Sequence, residues 1–256
     1  MHHWMKKLFA IAAPLLLTGC LWGPGKFASD LTLKKDGSFV LDYRGELVLQ
    51  VPEDENTQPW TNSKAKCEDD GKARPCRASE IADQKAAYEK KRQDAEQMAK
   101  AFGLPGLDDA SNRAFATKLM KYAGWRSVTY RGKGVFDVDY HFEGSAAQDF
   151  LFPALPDNNM IIPFVGLRRR ADGSVFVTAP AFTGGAGPMA LGAGIPTAPE
   201  GKGPVSRAQG RFTVITDGDI LTNNSEDGAA PTAIGRQVHW DVSPASTKIP
   251  ETLIRL

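Results

Sequence analysis

The chain is 256 residues long, 42% hydrophobic and 24% charged, proportions that support a folded core and exclude a disordered polyelectrolyte. Lys and Arg number 31 against 30 Asp and Glu, so there is no basic surplus of the kind that binds nucleic acid. Three cysteines are too few for a disulfide scaffold, and the odd count singles one of them out.

That one is Cys20. Residues 1–20 place Lys6 and Lys7 before ten consecutive apolar residues, 8–17, and then Thr18, Gly19 and Cys20. The apolar run is about half the roughly 20 residues that a spanning helix needs, so the segment reads as a secretory signal and not as a membrane span. Its close, Leu17-Thr18-Gly19-Cys20, resembles the lipobox of bacterial lipoprotein precursors. The resemblance implies cleavage after residue 19 and a diacylglycerol group on the Cys20 thiol. Two or three acyl chains, at about 0.8 kcal/mol per buried methylene, hold a protein on a membrane far better than a single myristoyl chain. Leu21 and Trp22 follow the cysteine without an Asp, as in lipoproteins sent to the outer membrane. The expected location is therefore the cell envelope, on the outer membrane facing the periplasm. Cleavage would also remove Lys6 and Lys7 and leave His141 and His239 as the remaining histidines.

The mature chain, 20–256, reads as one α+β domain. Apolar and polar residues alternate through 30–52 around Asp36-Gly37, which predicts a β-hairpin. Residues 128–143 put Phe136, Val138, Tyr140 and Phe142 on one face and Asp137, Asp139, His141 and Glu143 on the other. A further hairpin is predicted over 160–182, turning at Asp172-Gly173, and more strands over 212–223, 237–242 and 252–256. Strands and helices do not alternate regularly, so the sheet should be mostly antiparallel.

The segment 79–123 differs in composition and predicts an inserted or packed helical hairpin. Ser79 is placed to cap a helix over 80–102, whose apolar Ile81, Tyr88, Ala95 and Phe102 recur every seven residues. Its balanced charges suit a solvated face. A second helix is expected over 108–122, presenting Phe115, Leu119 and Tyr122. Just before the first helix, Cys67 and Cys76 flank an Asp-Gly turn, which in an exported chain predicts a local disulfide in preference to a zinc site. Residues 183–204 hold seven Gly and four Pro, too many for a regular element. This segment is either a mobile tip or a flap, and Met189, Leu191 and Ile195 are its candidates for apolar contact.

Catalytic motifs are missing. Gly194, Gly201 and Lys202 have the wrong spacing for a phosphate loop, and Gly203 stands where magnesium requires Ser or Thr. There is no G-x-S-x-G elbow and no H-E-x-x-H helix. The strand face of Asp137, Asp139, His141 and Glu143 has cation-binding side chains, but a charged solvent face explains it as well. His239 and Asp241 share a strand face opposite Trp240, and a general base there would need a distant nucleophile. No catalytic residue, cofactor site or metal site is assigned on these grounds.

The segment 218–224, GDILTNN, with Gly235 and Val238-His239-Trp240, resembles the end of the LppM-like envelope lipoprotein domain. Cys20 followed by the Asp36-Gly37-Ser38-Phe39 turn fits the same plan. The helical insert, Cys67, Cys76 and the Gly/Pro segment lie outside this resemblance. It implies an α+β domain at the envelope, associated with lipid or amphiphile and without established catalysis. Three functions follow. The first is a non-enzymatic lipoprotein whose sheet and loops, including the apolar run 150–164, contact a lipid or another apolar ligand. The second is an assembly module that holds another envelope protein through the helical hairpin, around 85–100. The third, a hydrolase using His239 or His141, has the least support.

Overall fold

The computed structural model describes residues 22–49, 59–69, 71–101, 105, 108–155, 163–183 and 207–256. The chain begins with β1 (Trp22–Leu33) and β2 (Ser38–Leu49). A small unit follows: β3 (Cys67–Asp69), β4 (Lys72–Arg74) and the helix α1 (Ala78–Ala101). Next come α2 (Asp109–Leu119), β5 (Trp125–Gly132), β6 (Val135–Ser145) and β7 (Phe150–Phe152). The remaining strands are β8 (Val165–Arg169), β9 (Val175–Thr178), β10 (Gln209–Thr216), β11 (Asp219–Asn223), β12 (Ala230–Thr232), β13 (Gly235–Val242) and β14 (Glu251–Arg255).

Two of the turns repeat one local solution. At Asp36-Gly37-Ser38 and at Asp172-Gly173-Ser174 the glycine takes φ of 84° and 83°, a left-handed conformation that side chains resist. In each, the Asp carboxylate accepts the Ser backbone N–H, at 2.8 and 3.0 Å, and the Ser hydroxyl, at 2.6 Å in both. These turns set the register of β1 against β2 and of β8 against β9.

The strands form a seven-stranded sheet, β12-β13-β10-β1-β2-β6-β5, a five-stranded sheet, β11-β14-β9-β8-β7, and the small pair β3-β4. The expectation of an α+β fold with antiparallel-rich sheets holds. One pairing departs from it: β1 runs parallel to β10, from Lys26↔Gln209 to Leu33↔Thr216, in the middle of the large sheet. The strands expected over 212–256 also divide between sheets, with β10 and β13 in the large one and β11 and β14 in the smaller.

Alternation along β1, β2, β6 and β10 buries one face of the large sheet. Aromatic rings fill the core. Phe27 stacks on Phe182 at 4.1 Å, Tyr43 meets Phe152 at 5.1 Å and Phe164 at 5.8 Å, and Phe182 meets Phe212 edge-on at 5.4 Å. The Tyr43 hydroxyl donates to the Glu46 carbonyl at 2.8 Å, and burial pushes its pKa well up.

The helices occupy the expected segment but differ in their attachment. Asp108 caps α2 by accepting the Ser111 N–H at 2.9 Å. The helix buries Asn112, Phe115, Ala116 and Leu119, and Phe115 stacks on Trp22 at 5.4 Å. α1 begins earlier than expected, so Ser79 lies inside the helix and not at its cap. The Arg77 N–H instead donates to Glu80, three residues on, at 2.8 Å. Among the described residues no extensive packing of α1 on either large sheet or on α2 is seen, and the expected pairing of the two helices as a hairpin is not confirmed. The side-chain contacts of α1 run to 60–77, with Tyr88 against Trp60 at 5.3 Å and Gln84 bonded to the Lys66 backbone. Of the expected stripe, Ile81 is half-buried and Tyr88 buried, while Ala95's side chain and Phe102 lie outside the described set.

Candidate functional site

The large sheet has an inner face against the core and an outer face that carries the acidic strand residues. On that outer face β2 and β6 are directly paired, which sets Asp42 opposite His141 and Arg44 opposite Asp139. His141 Nδ1 lies 2.7 Å from Asp42 Oδ1 and Nε2 lies 3.3 Å from Glu143 Oε1. The Asp42 carboxylate, and then that of Glu143, raises the His141 pKa by favouring the imidazolium. Asp139 faces Arg44 at 3.7 Å, and Asp137 pairs with Arg131. The acidic row thus meets its cations from neighbouring strands, which a one-strand reading of 137–143 does not reveal. Among the described residues, no three His, Cys, Asp or Glu side chains are grouped to hold a metal ion.

A cleft of 330 Å³ lies along the edge of β13. Asn224, Glu226, Asp227, His239, Asp241 and Lys248 are among the residues that line it. Its floor follows from the strand period. Trp240 turns inward and stacks on Phe212 at 5.6 Å, while His239 and Asp241 point outward. His239 Nε2 lies 3.1 Å from Asp227 Oδ2. Asp241 is held in two hydrogen bonds by Arg211, at 2.7 and 2.9 Å, and this guanidinium keeps the Asp241 carboxyl below its usual range. Ser225 Oγ donates to the His239 carbonyl at 2.7 Å, so that carbonyl faces away from β10.

Chemically this is a polar groove in which Asp227 is paired with His239 and Asp241 with Arg211. The cleft serines, Ser243 and Ser246, hydrogen-bond to one another, and the described contacts bring neither hydroxyl to His239. A nucleophile–base relay is not assembled there.

The structure also shows what the residues of the LppM-like resemblance do. Asn224 Oδ1 accepts the Trp240 indole N–H at 2.9 Å and the Glu251 N–H at 3.0 Å, and Asn224 Nδ2 donates to the Ile249 carbonyl at 2.6 Å. The two halves of that pattern are tied together by a buttress between β11, β13 and β14. Spacing alone could not pair Asn224 with Trp240.

Other predicted positions separate. Cys67 and Cys76 form a disulfide, with Cα atoms 5.3 Å apart, at the base of α1. In the apolar run 150–164, Phe152, Leu155 and Phe164 are core residues, which accounts for much of its hydrophobicity without a ligand. Cys20, Met189, Leu191 and Ile195 lie outside the described residues. No helix among the described residues is long and apolar enough to cross a membrane.

No family model and no curated protein matches the chain. A solved structure, the folded domain of LppM from Mycobacterium tuberculosis, aligns with 93% of this chain and 91% of its own at 11% identity and a TM-score of 0.28. At that TM-score the likeness does not establish a common fold.

Proposed function

We propose that the protein is a bacterial envelope lipoprotein, held through acyl chains on Cys20, and that its folded part is a non-catalytic assembly module offering α1 to another envelope protein. Leu21 and Trp22 after the cysteine support a place on the outer membrane, facing the periplasm. One observation carries the assembly reading. α1 is 24 residues long, yet among its described side chains Tyr88 is the one that is buried. A helix of that length, fastened at its base by the Cys67–Cys76 disulfide and by the Arg74–Glu80 pair at 2.6 Å, leaves most of its surface available. Marginal helices in water owe their persistence to packing, so a partner surface would complete this one. The apolar-ligand reading is less well supported, because Tyr43, Phe152, Phe164 and Phe182 already pack ring against ring between the sheets.

The test uses the full-length protein in intact cells. A photo-reactive residue replacing Lys90 or Gln93 of α1 is expected to give one discrete protein adduct, and the same residue at Arg126, on β5, to give none. No adduct from α1, or the same adducts from Arg126, would remove the reading.

A further inference from the structure

The large sheet has two ends, and covalent geometry links one of them to Cys20. β1 begins at Trp22, which is fully buried, stacked on Phe115 and paired with Leu49. Two residues of extended chain span at most about 7 Å, so Cys20 must lie within that distance of Trp22. The covalent chain therefore keeps the acylated residue close to the folded core. On the reading that Cys20 is acylated, the bilayer must come up against the end of the sheet where Trp22 sits.

The register identifies what else is at that end. Leu49 donates its N–H to the Gly134 carbonyl at 2.7 Å, which brings the Gly132-Lys133-Gly134 turn of β5 and β6 alongside Trp22. β10 is parallel to β1 and enters the sheet at Gln209, opposite Lys26, so Arg207 lies at the same end. Both Lys133 and Arg207 are exposed. Nearby Arg131 and Arg113 are paired with Asp137 and Asp109, whereas Lys133 and Arg207 have no ion pair among the described residues. Exposed cations suit the phosphates of a lipid surface. The opposite end carries the Asp36-Gly37 turn. The twelve residues of β1 place it about 36 Å away at the usual rise of a strand.

We propose that the end of the large sheet bearing Trp22, Lys133 and Arg207 faces the lipid headgroups directly, so that the domain stands end-on upon the membrane that holds its acyl chains. This rests on the acylation of Cys20, and it adds an orientation that the anchor alone does not give.

The full-length acylated protein is reconstituted in vesicles of phosphatidylethanolamine and phosphatidylglycerol containing a headgroup-attached quencher. A fluorophore is placed by Lys133→Cys, by Arg207→Cys or by Lys35→Cys, all exposed positions. The labels at 133 and 207 are expected to be quenched several-fold more than the label at 35. Equal quenching at all three, or stronger quenching at 35, with acyl chains found on Cys20 by mass spectrometry, overturns the orientation alone. A Cys20 without acyl chains overturns the lipoprotein reading and the orientation with it.

Discussion

α1 is more than twice as long as α2, yet α2 is the better anchored. α2 has 11 residues and buries Asn112, Phe115, Ala116 and Leu119, the three-and-four spacing that lays one broad face on a sheet. α1 has 24 residues and brings Ile81, Gln84, Tyr88 and Arg92 to one side, a line of mixed chemistry that seats a single ring against Trp60. Both have an acidic residue at the first turn, so their starts are equally well specified. The difference lies in what each helix can bury. A heptad spacing of lone apolar residues makes a stripe too narrow to dock on a flat sheet, and such a helix depends on local fasteners instead.

The comparison is broken most severely by Phe115→Ala. Removing a ring stacked on Trp22 and edge-on to Phe136 should cost about 3–5 kcal/mol and lower the urea midpoint of the whole sandwich, followed by tryptophan fluorescence. Replacing both Cys67 and Cys76 by Ser should cost about 2–3 kcal/mol, the entropic worth of a short loop. That loss should appear as faster hydrogen exchange along α1 while the sandwich midpoint holds. Tyr88→Ala should cost about 1–2 kcal/mol and speed exchange in the same helix. A fall in the sandwich midpoint equal to that of Phe115→Ala would show α1 to be part of the core after all.

The smallest effect is an acid sensitivity that the two helix starts share. The Arg74 guanidinium, with the Arg77 N–H, lowers the Glu80 pKa from 4.5 to about 2. Hydrogen bonds from the Ser111 backbone and hydroxyl lower that of Asp108. Both groups are depressed in the folded state, so their contributions are present above the ordinary carboxylate range and are lost as pH falls through the folded values. Exchange protection at the first turn of α1 should therefore decline between pH 4.5 and about 2, and Glu80→Gln should flatten that dependence. A pH-independent first turn in the unaltered protein would deny Glu80 this role.

What was legible in the sequence is what is settled by near neighbours. Asp36-Gly37-Ser38 and Asp172-Gly173-Ser174 announce their turns because the donor, the acceptor and the left-handed glycine are adjacent in the chain. Cys67 and Cys76 pair across their own short loop. The start of α1 is not legible at Ser79, the commoner cap type, because Glu80 takes the Arg77 N–H and an arginine at that position gives no capping-box signature. Long-range choices were not legible. Nothing local to 22–33 indicates that β1 takes β10 as a parallel neighbour, and nothing local to His141 reveals Asp42, 99 residues earlier. Strand pairing depends on which edges remain when the rest of the chain is in place.

The position of β1 bears on how the protein comes to fold. As synthesis proceeds from the N-terminus, β1 and β2 can close at once around their turn. The other flank of β1, from Lys26 to Leu33, must wait for 209–216. Until then the hairpin keeps an open row of backbone donors and acceptors beside apolar side chains, which invites pairing with the wrong chain. The molecule completes its central seam late, so loss of its final fifty residues would leave the first strand paired with β2 alone, a wound at the middle of the sheet.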